Sequence, residues 1–178
     1  MTTVVFETHS WSTDNDHGIA TGWLPGTLSE RGRALAAELG ARRRDDGVAA
    51  VFSSDLDRAA DTTRIAFPGS TVPILLDWRL RECNYGELNG APAEQMATQR
   101  QARRNVPYPG GESWEQALAR VSGALADLRR WWPNDRVLVI GHVATRWALD
   151  QLVNGDTLET LIDADFGWRE GWEYDLPA

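Results

Sequence analysis

Six consecutive residues, Arg136–Gly141 (RVLVIG), form the strongest strand pattern of the chain. The run is apolar without alternation, which is typical of a strand that is buried on both faces of a parallel sheet. Other β-rich runs at residues 3–8, 49–53 and 71–76 precede it, and longer helical patterns separate these runs. Strands that alternate with helices predict an α/β fold, a three-layer α/β/α sandwich with a mainly parallel central sheet.

Capping residues mark the predicted helix starts. Ser29 is a candidate N-cap for a helix over residues 29–45, and Ser54 or Asp55 for the helix that follows the second strand. Ser113, with Gln116 three residues later, forms a capping box before a helix that runs to about residue 132. We also expect a helical insert at 93–104 and a helix at 143–153. No repeat or linker divides the 178 residues, which predicts one domain over 1–178.

The charge balance argues against several classes of function. The chain has 26 acidic and 18 basic residues, all of the latter arginine, which gives a net charge of −8 and a pI near 4.9. A general nucleic-acid binder needs a basic face, so we expect no nucleic-acid partner. One Cys and three His argue against a disulfide framework and a structural zinc site, and no metal or cofactor is expected. Without a signal-peptide pattern or a long apolar run, the sequence predicts a cytoplasmic protein with no membrane partner.

Two histidines occupy equivalent positions behind predicted strands. His9 follows the first strand and His142 follows Arg136–Gly141. Ligands of parallel α/β sheets bind beyond the carboxyl ends of the strands, so the two side chains are expected at one crevice. A single such histidine is more often a structural residue, but the pair, with Arg58 on a nearby helix, favours an anion site.

Short motifs follow one another in the order of one known family. They are the opening from His9 to Trp23 with Asn15 and Thr21-Gly22-Trp23, residues 28–32 (LSERG), 53–59 (SSDLDRA), 80–86 (LRECNYG) with Gly90, 109–113 (PGGES), and Gly141-His142. This order resembles the histidine phosphatase (phosphoglycerate mutase-like) superfamily over nearly the whole chain. Each motif is weak alone, but six in the correct order are specific.

The resemblance implies a set of roles. His9 would attack phosphorus and form a phosphohistidine, while Arg58 and His142 stabilise the phosphoryl oxygens. Glu82 would protonate the leaving oxygen and then activate water. The residues that would contact the substrate are Thr8, Ser10, Asn15, Thr21, Gly22, Trp23 and Val143. The implied function is a metal-independent phosphomonoesterase that acts on a small organic phosphate, without a cofactor.

The sequence departs from the family pattern around the first histidine. Thr8-His9-Ser10 stands where the family has Arg-His-Gly, and Val143-Ala144 replaces a pair of small residues after His142. Because the missing arginine would make a charge-assisted contact with phosphate, its loss predicts a rate lower by roughly 10- to 100-fold. Three explanations compete: a phosphatase with a weakened grip on phosphate, an enzyme of the same fold doing non-phosphoryl acid–base chemistry, and a catalytically idle binding protein.

Other arginines and several tryptophans bear on the substrate. Arg64 or Arg146 could replace the missing charge, and Arg100, Arg103 and Arg104 of the insert could contact an anion. Trp11, Trp23 and Trp147 adjoin motif residues, which indicates either an aromatic pocket for a substrate with a ring or apolar body, or core packing. The aromatic tail at 166–174 predicts an edge hairpin or a homodimer contact.

Overall fold

A computed structural model describes residues 1–177. In chain order the elements are β1 (Thr2–Thr8), α1 (Thr13–Asp16), β2 (Ile19–Ala20), α2 (Glu30–Arg43), β3 (Ala50–Ser53), α3 (Asp57–Ala66), β4 (Ile74–Leu76), β5 (Ala91–Pro92), α4 (Ala93–Gln99), α5 (Trp114–Trp131), β6 (Arg136–Gly141), α6 (Val143–Leu149), α7 (Leu158–Asp163) and β7 (Trp172–Leu176). Short 3₁₀ turns lie at Trp78–Leu80 and Gly86–Leu88, and a π-helical turn at Asp150–Asn154 follows α6.

The central sheet has the strand order β4-β3-β6-β1-β7. The first four strands of this order are parallel, and β7 pairs with β1 in the antiparallel sense at the edge. The predicted α/β class with a mainly parallel sheet is therefore confirmed. Of the aromatic tail at 166–174, residues 172–174 lie in β7, so among the described residues the tail contributes to a single edge strand.

Apolar side chains pack on both faces of the sheet. Alternation along β1 sends Val4 and Phe6 to the face covered by α5 and α6. Val5 points to the opposite face, where Leu39 of α2 and Ala59 of α3 pack. The central position of β6, with helices on each side of the sheet, explains why its sequence is apolar without alternation.

Several helix starts agree with the capping pattern and one does not. Ser29 caps α2, and Ser113 and Gln116 form the capping box of α5. The prediction that Ser54 or Asp55 caps α3 is wrong, because Leu56 holds the N-cap position and makes no side-chain cap bond. Asp55 is instead paired with Arg81, whose guanidinium donates to both carboxylate oxygens at 2.7 Å.

Other boundaries are shorter than the sequence predicts. The insert is helical only over α4, and its second half forms turns. The strand expected at 71–76 is limited to β4, and the helix expected at 143–153 leaves α-geometry after Leu149. The short ladder between β2 and β5, and the helices α1 and α7, are not indicated by any sequence pattern. Among the described residues, no helix has the length and apolar character needed to cross a membrane.

Candidate active site

The two predicted histidines meet at the carboxyl end of adjacent strands. Thr8 pairs with Gly141 in the parallel register of β1 and β6, and the next backbone bond joins His9 N–H to Gly141 O at 2.9 Å. His9 and His142 therefore leave the sheet side by side, with ring centroids 5.0 Å apart. This register places both histidines at the carboxyl ends of neighbouring parallel strands, where the sequence predicts a shared crevice.

A backbone bond selects the tautomer of His9. Its Nδ1 lies 2.7 Å from the carbonyl oxygen of Ser10. A carbonyl can only accept, so the neutral ring carries its proton on Nδ1 and leaves a lone pair on Nε2. The His9 side chain lines the cavity described below, and it presents there the form of imidazole that acts as a nucleophile.

Arg58 selects a tautomer of His142 that is opposite to that of His9. The Nη2 of Arg58 donates to Gly22 O at 2.9 Å and lies 3.4 Å from His142 Nδ1. Because a guanidinium only donates, Nδ1 of His142 accepts and the neutral ring carries its proton on Nε2. His142 Nε2 is buried and has no hydrogen-bond partner among residues 1–177. His142 thus carries a donor without a partner among these residues, on a ring whose centroid lies 5.0 Å from that of His9.

Burial and charge keep both imidazoles neutral. Burial, followed by the positive charge of Arg58, lowers the pKa of His9 to about 3, although its bond to Ser10 acts in the other direction. The same two causes, with smaller contributions from His9 and Arg120, hold the pKa of His142 well below its usual value. Burial lowers the pKa of Arg58 to about 10, so the guanidinium remains charged at neutral pH. The site therefore combines one fixed cation with two neutral rings.

Glu82 is held against the start of α6. Its Oε1 accepts from Cys83 N–H at 2.9 Å and Ala144 N–H at 3.1 Å, and Oε2 accepts from Val143 N–H at 3.2 Å. The side chain is 8% exposed and lines the same cavity as the histidines. The backbone N–H of Val143 is therefore engaged by a carboxylate of the protein itself. Oε2 makes a single bond and retains a free lone-pair direction.

A cavity of about 520 Å³ connects these groups. The predicted site residues that line it are His9, Arg58, Glu82, His142, Thr8, Ser10, Asn15, Thr21, Gly22 and Val143. Trp23 is absent from this lining. Its indole N–H donates to Glu82 O at 2.7 Å, and the guanidinium of Arg81 stacks over the ring at 4.8 Å. Trp23 thus holds the loop that carries Glu82, and its ring lies outside the cavity.

Most of the polar side chains around His9 already have partners within the protein. Ser10 Oγ donates to Gly32 O at 2.6 Å, and Thr21 Oγ1 donates to Asp14 at 2.8 Å. Asn15 Oδ1 accepts from the backbone and hydroxyl of Ser12, both at 2.9 Å. These bonds shape the loop after β1. The hydroxyl of Ser10 is directed to the backbone of α2.

Thr8 has a partner that no sequence pattern indicates. The indole Nε1–H of Trp168 donates to Thr8 Oγ1 at 3.2 Å. Trp168 and Phe166 line the cavity, as Trp11 does, whereas Trp147 packs in the core against Trp114 with ring centroids 4.5 Å apart. Of the three tryptophans expected at the pocket, Trp11 is the one that lines it.

The arginines that line the cavity differ from those expected to replace the missing charge. Arg64 pairs with Asp61 on α3, and Arg146 bonds to Phe166 O and pairs with Asp150; neither lines the cavity. The cavity is instead lined by Arg31, Arg42, Arg58 and Arg100. Arg31 lies within the LSERG motif, but helical spacing alone does not show that it faces the site. Its guanidinium stacks on Trp11 at 5.1 Å.

The two serines that precede α3, Ser53 and Ser54, form hydrogen bonds with backbone groups. Ser53 Oγ donates to Ser54 O at 2.9 Å, and Ser54 Oγ accepts from Leu56 N–H at 3.3 Å.

Within residues 1–177, no three His, Cys, Asp or Glu side chains are grouped so as to hold a metal ion.

Comparison with known proteins decides the family. The family model "Histidine phosphatase superfamily (branch 1)" matches residues 7–167. The chain belongs to the histidine phosphatase superfamily. The resemblance drawn from the motif order is therefore confirmed.

Relatives of this superfamily member are named as mutases. A 2,3-bisphosphoglycerate-dependent phosphoglycerate mutase of Methylobacterium radiotolerans is 34% identical over 175 residues, covering 90% of this chain and 82% of that protein. A protein of Erwinia tasmaniensis named "Probable phosphoglycerate mutase GpmB" is 31% identical over 123 residues. That match covers 65% of this chain and 57% of the relative, so the chain spans little more than half of that relative's length.

Solved structures with the same fold include phosphatases. Bacillus stearothermophilus YhfR superposes with a TM-score of 0.87 at 23% identity, over 97% of this chain and 90% of that one. Mycobacterial glucosyl-3-phosphoglycerate phosphatase, solved in complex with VO3, gives a TM-score of 0.77 at 26% identity, over 90% and 85% of the two chains. The three-layer fold of the histidine phosphatases is thus shared along nearly the whole chain.

Proposed function

We propose that this protein is a metal-independent phosphomonoesterase that hydrolyses a small organic phosphate through a phosphohistidine at His9. The observation that carries the proposal is the pair of opposite tautomers on rings whose centroids are 5.0 Å apart: His9 keeps a lone pair on Nε2, and His142 carries an Nε2–H without a partner among the described residues. A nucleophile next to a donor for a phosphoryl oxygen is the arrangement that in-line attack on phosphorus requires.

The reaction balances with groups of this chain and water. His9 Nε2 forms a bond to phosphorus while the bond from phosphorus to the leaving oxygen breaks. The leaving oxygen keeps the electron pair of the broken bond and takes a proton from Glu82. Arg58 and His142 Nε2–H stabilise the negative charge on the transferred group. Water then attacks the phosphohistidine and returns a proton to Glu82. Inorganic phosphate leaves, and His9 is again neutral.

Release to water, rather than transfer to a second substrate, fits the residues available. A mutase must retain the phosphoryl group between two substrate positions and bind the substrate with additional cations. Arg42, one of the four arginines that line the cavity, is already paired with Glu7 at 3.4 Å. Arg58 serves the transferred phosphoryl group in this proposal, so it does not supply an additional cation for a second substrate position. The proposal is therefore a phosphatase, in spite of relatives named as mutases.

A panel of phosphomonoesters, assayed with a chelator and without added metal, tests the proposal. The wild-type protein is expected to release inorganic phosphate from at least one member, and the His9→Ala variant to lose this activity. If no member is hydrolysed faster by the wild type than by His9→Ala, the phosphatase proposal is wrong.

One observation favours a second function, non-phosphoryl acid–base chemistry by His9, Glu82 and His142. Thr8, next to His9, brings no positive charge, and its hydroxyl already accepts a hydrogen bond from Trp168. This function predicts weak binding of vanadate and of inorganic phosphate, with a neutral or carboxylate ligand in the cavity. A complex with vanadate bound to His9 Nε2 would argue against it. An idle binding protein is contradicted by any activity that His9→Ala or Glu82→Ala removes.

A further inference from the structure

The cavity lining also includes residues of α2 and of the tail segment (residues 164–171) that precedes β7, and we call this part of the cavity the second compartment. Leu35 and Leu39 of α2 line one side of it, and Phe166 and Trp168 of the tail segment line another. Neither the phosphoryl chemistry nor the motif order uses these residues. Glu38 and Glu170 also line this part of the cavity, and Arg42 is paired with Glu7. The apolar side chains therefore suit a hydrocarbon or ring, while the carboxylates disfavour a second phosphate.

The tail segment is fixed in place by bonds along its length. Arg146 Nη1 donates to Phe166 O, and Arg43 Nη2 donates to Glu170 O at 3.3 Å. Trp168, between these points, is anchored to Thr8 through its indole N–H. Trp168 is nevertheless 59% exposed, so a large part of its surface has no packing partner among residues 1–177. A fixed and partly exposed indole that lines a cavity offers a surface on which a ligand ring can stack.

Thr8 joins the two parts of the cavity. It directly precedes His9, lines the cavity and contacts Trp168. An arginine at this position would direct a long cationic side chain into the same space and would compete with the indole for it. The short threonine leaves that space open, and its hydroxyl holds Trp168 in place.

We propose that Thr8 and Trp168 determine specificity, and that the substrate is a phosphomonoester whose alcohol carries a ring or comparable apolar body seated against Trp168. In this proposal, threonine at position 8 lacks the positive charge of an arginine but leaves more space in the cavity. The enzyme binds phosphate less tightly and gains contact with the leaving group. The inference rests on the proposed phosphatase function, and it names the substrate class of that same site.

Two substrates with similar alkyl leaving groups test the proposal by activity. We expect kcat/KM for 2-phenylethyl phosphate to exceed that for ethyl phosphate. Trp168→Ala should lower this ratio about tenfold, as expected from the loss of a stacked and buried ring contact. Thr8→Arg should also lower the ratio, by raising the activity on ethyl phosphate and blocking the longer substrate. Trp131→Ala is the matched control, because Trp131 is 55% exposed and lies outside the cavity, and it should leave the ratio unchanged.

A binding measurement separates this inference from the phosphatase proposal. Calorimetry with the unreactive 2-phenylethylphosphonate and ethylphosphonate should show tighter binding of the former to wild type, and this preference should be lost in Trp168→Ala. Equal affinities in the wild type, or a preference that Trp168→Ala retains, would overturn the inference even if hydrolysis is observed. If the preference is present but no phosphomonoester is hydrolysed, the phosphatase proposal and the named substrate class fail, and only the binding of a ring against Trp168 stands.

Discussion

The imidazole rings of His9 and His142 lie with centroids 5.0 Å apart and in opposite tautomers. The Ser10 carbonyl sets the first tautomer and the Arg58 guanidinium sets the second. Burial of both rings next to a fixed positive charge keeps them unprotonated. One ring therefore carries a lone pair and the other a donor, and both residues line one cavity.

The lowered pKa of His9 predicts acid destabilisation. In the unfolded chain His9 binds a proton below about pH 6.5, whereas the folded protein resists protonation until about pH 3. Stability due to this group is thus present above pH 6.5 and is lost as pH falls toward 3. Between pH 7.5 and 5.5 its share of the loss is about 1.4 kcal/mol. Urea titrations at the two pH values should show His9→Gln losing less stability than wild type by about this amount, and equal losses would contradict the assignment.

Arg58→Lys is expected to damage both catalysis and folding. The guanidinium donates to the carbonyls of Gly22 and Leu24 at 2.9 Å while it contacts His142, and a single ammonium cannot reproduce that geometry. We expect kcat/KM to fall by about 100-fold and the free energy of unfolding by about 1–3 kcal/mol. Steady-state kinetics and chemical denaturation measure the two effects. A fall in stability with unchanged kcat/KM would assign Arg58 a purely structural role.

Glu82→Gln separates proton transfer from positioning. The amide retains the shape of the side chain, but its NH₂ group faces backbone N–H donors of Val143, Ala144 or Cys83, so a stability loss of about 1–3 kcal/mol is expected. A leaving group that needs a proton should suffer most. We expect turnover of an alkyl phosphate to fall by about 100-fold or more, and that of p-nitrophenyl phosphate by less than about tenfold. Equal losses on both substrates would contradict a proton-donor role.

Gly22 and Gly18 form a matched pair for testing the loop that holds Arg58. Both have positive φ angles, +56° and +64°, so alanine strains the backbone at either position. A Cβ on Gly22 would lie 2.0 Å from Asn89 Oδ1, whereas a Cβ on Gly18 meets nothing within 4 Å. Thermal denaturation should show Gly22→Ala to be less stable than Gly18→Ala by at least about 1 kcal/mol, with activity lost only in the former. Similar values would mean that the loop adapts.

The sequence predicts the parts of this molecule that depend on local pattern. Periodicity identifies the parallel sheet, and motif order places His9, Arg58, Glu82 and His142 around one crevice. Contacts between distant segments have no such signal. Trp168 meets Thr8 across 160 positions of the chain, a contact that the predicted hairpin or dimer contact of residues 166–174 does not include.

Side-chain direction is the other property that the sequence leaves open. Trp11 and Trp147 both adjoin motif residues, yet one lines the cavity and the other packs in the core. Likewise Arg31 lines the cavity while Arg64 points to an acidic neighbour on the surface of α3. The sequence gives the number of arginines and aromatic residues. The packing of α2 and of the tail segment decides which of these side chains line the cavity.

Trapping the phosphoenzyme tests the central claim most directly. Wild-type protein mixed with a turned-over phosphomonoester and quenched in alkali should carry one phosphoryl group on the peptide that contains His9, and brief exposure to acid should release it. The His9→Ala variant should remain unlabelled. Hydrolysis by a wild-type protein that never acquires this label, or a label that persists in His9→Ala, would contradict a phosphohistidine at His9.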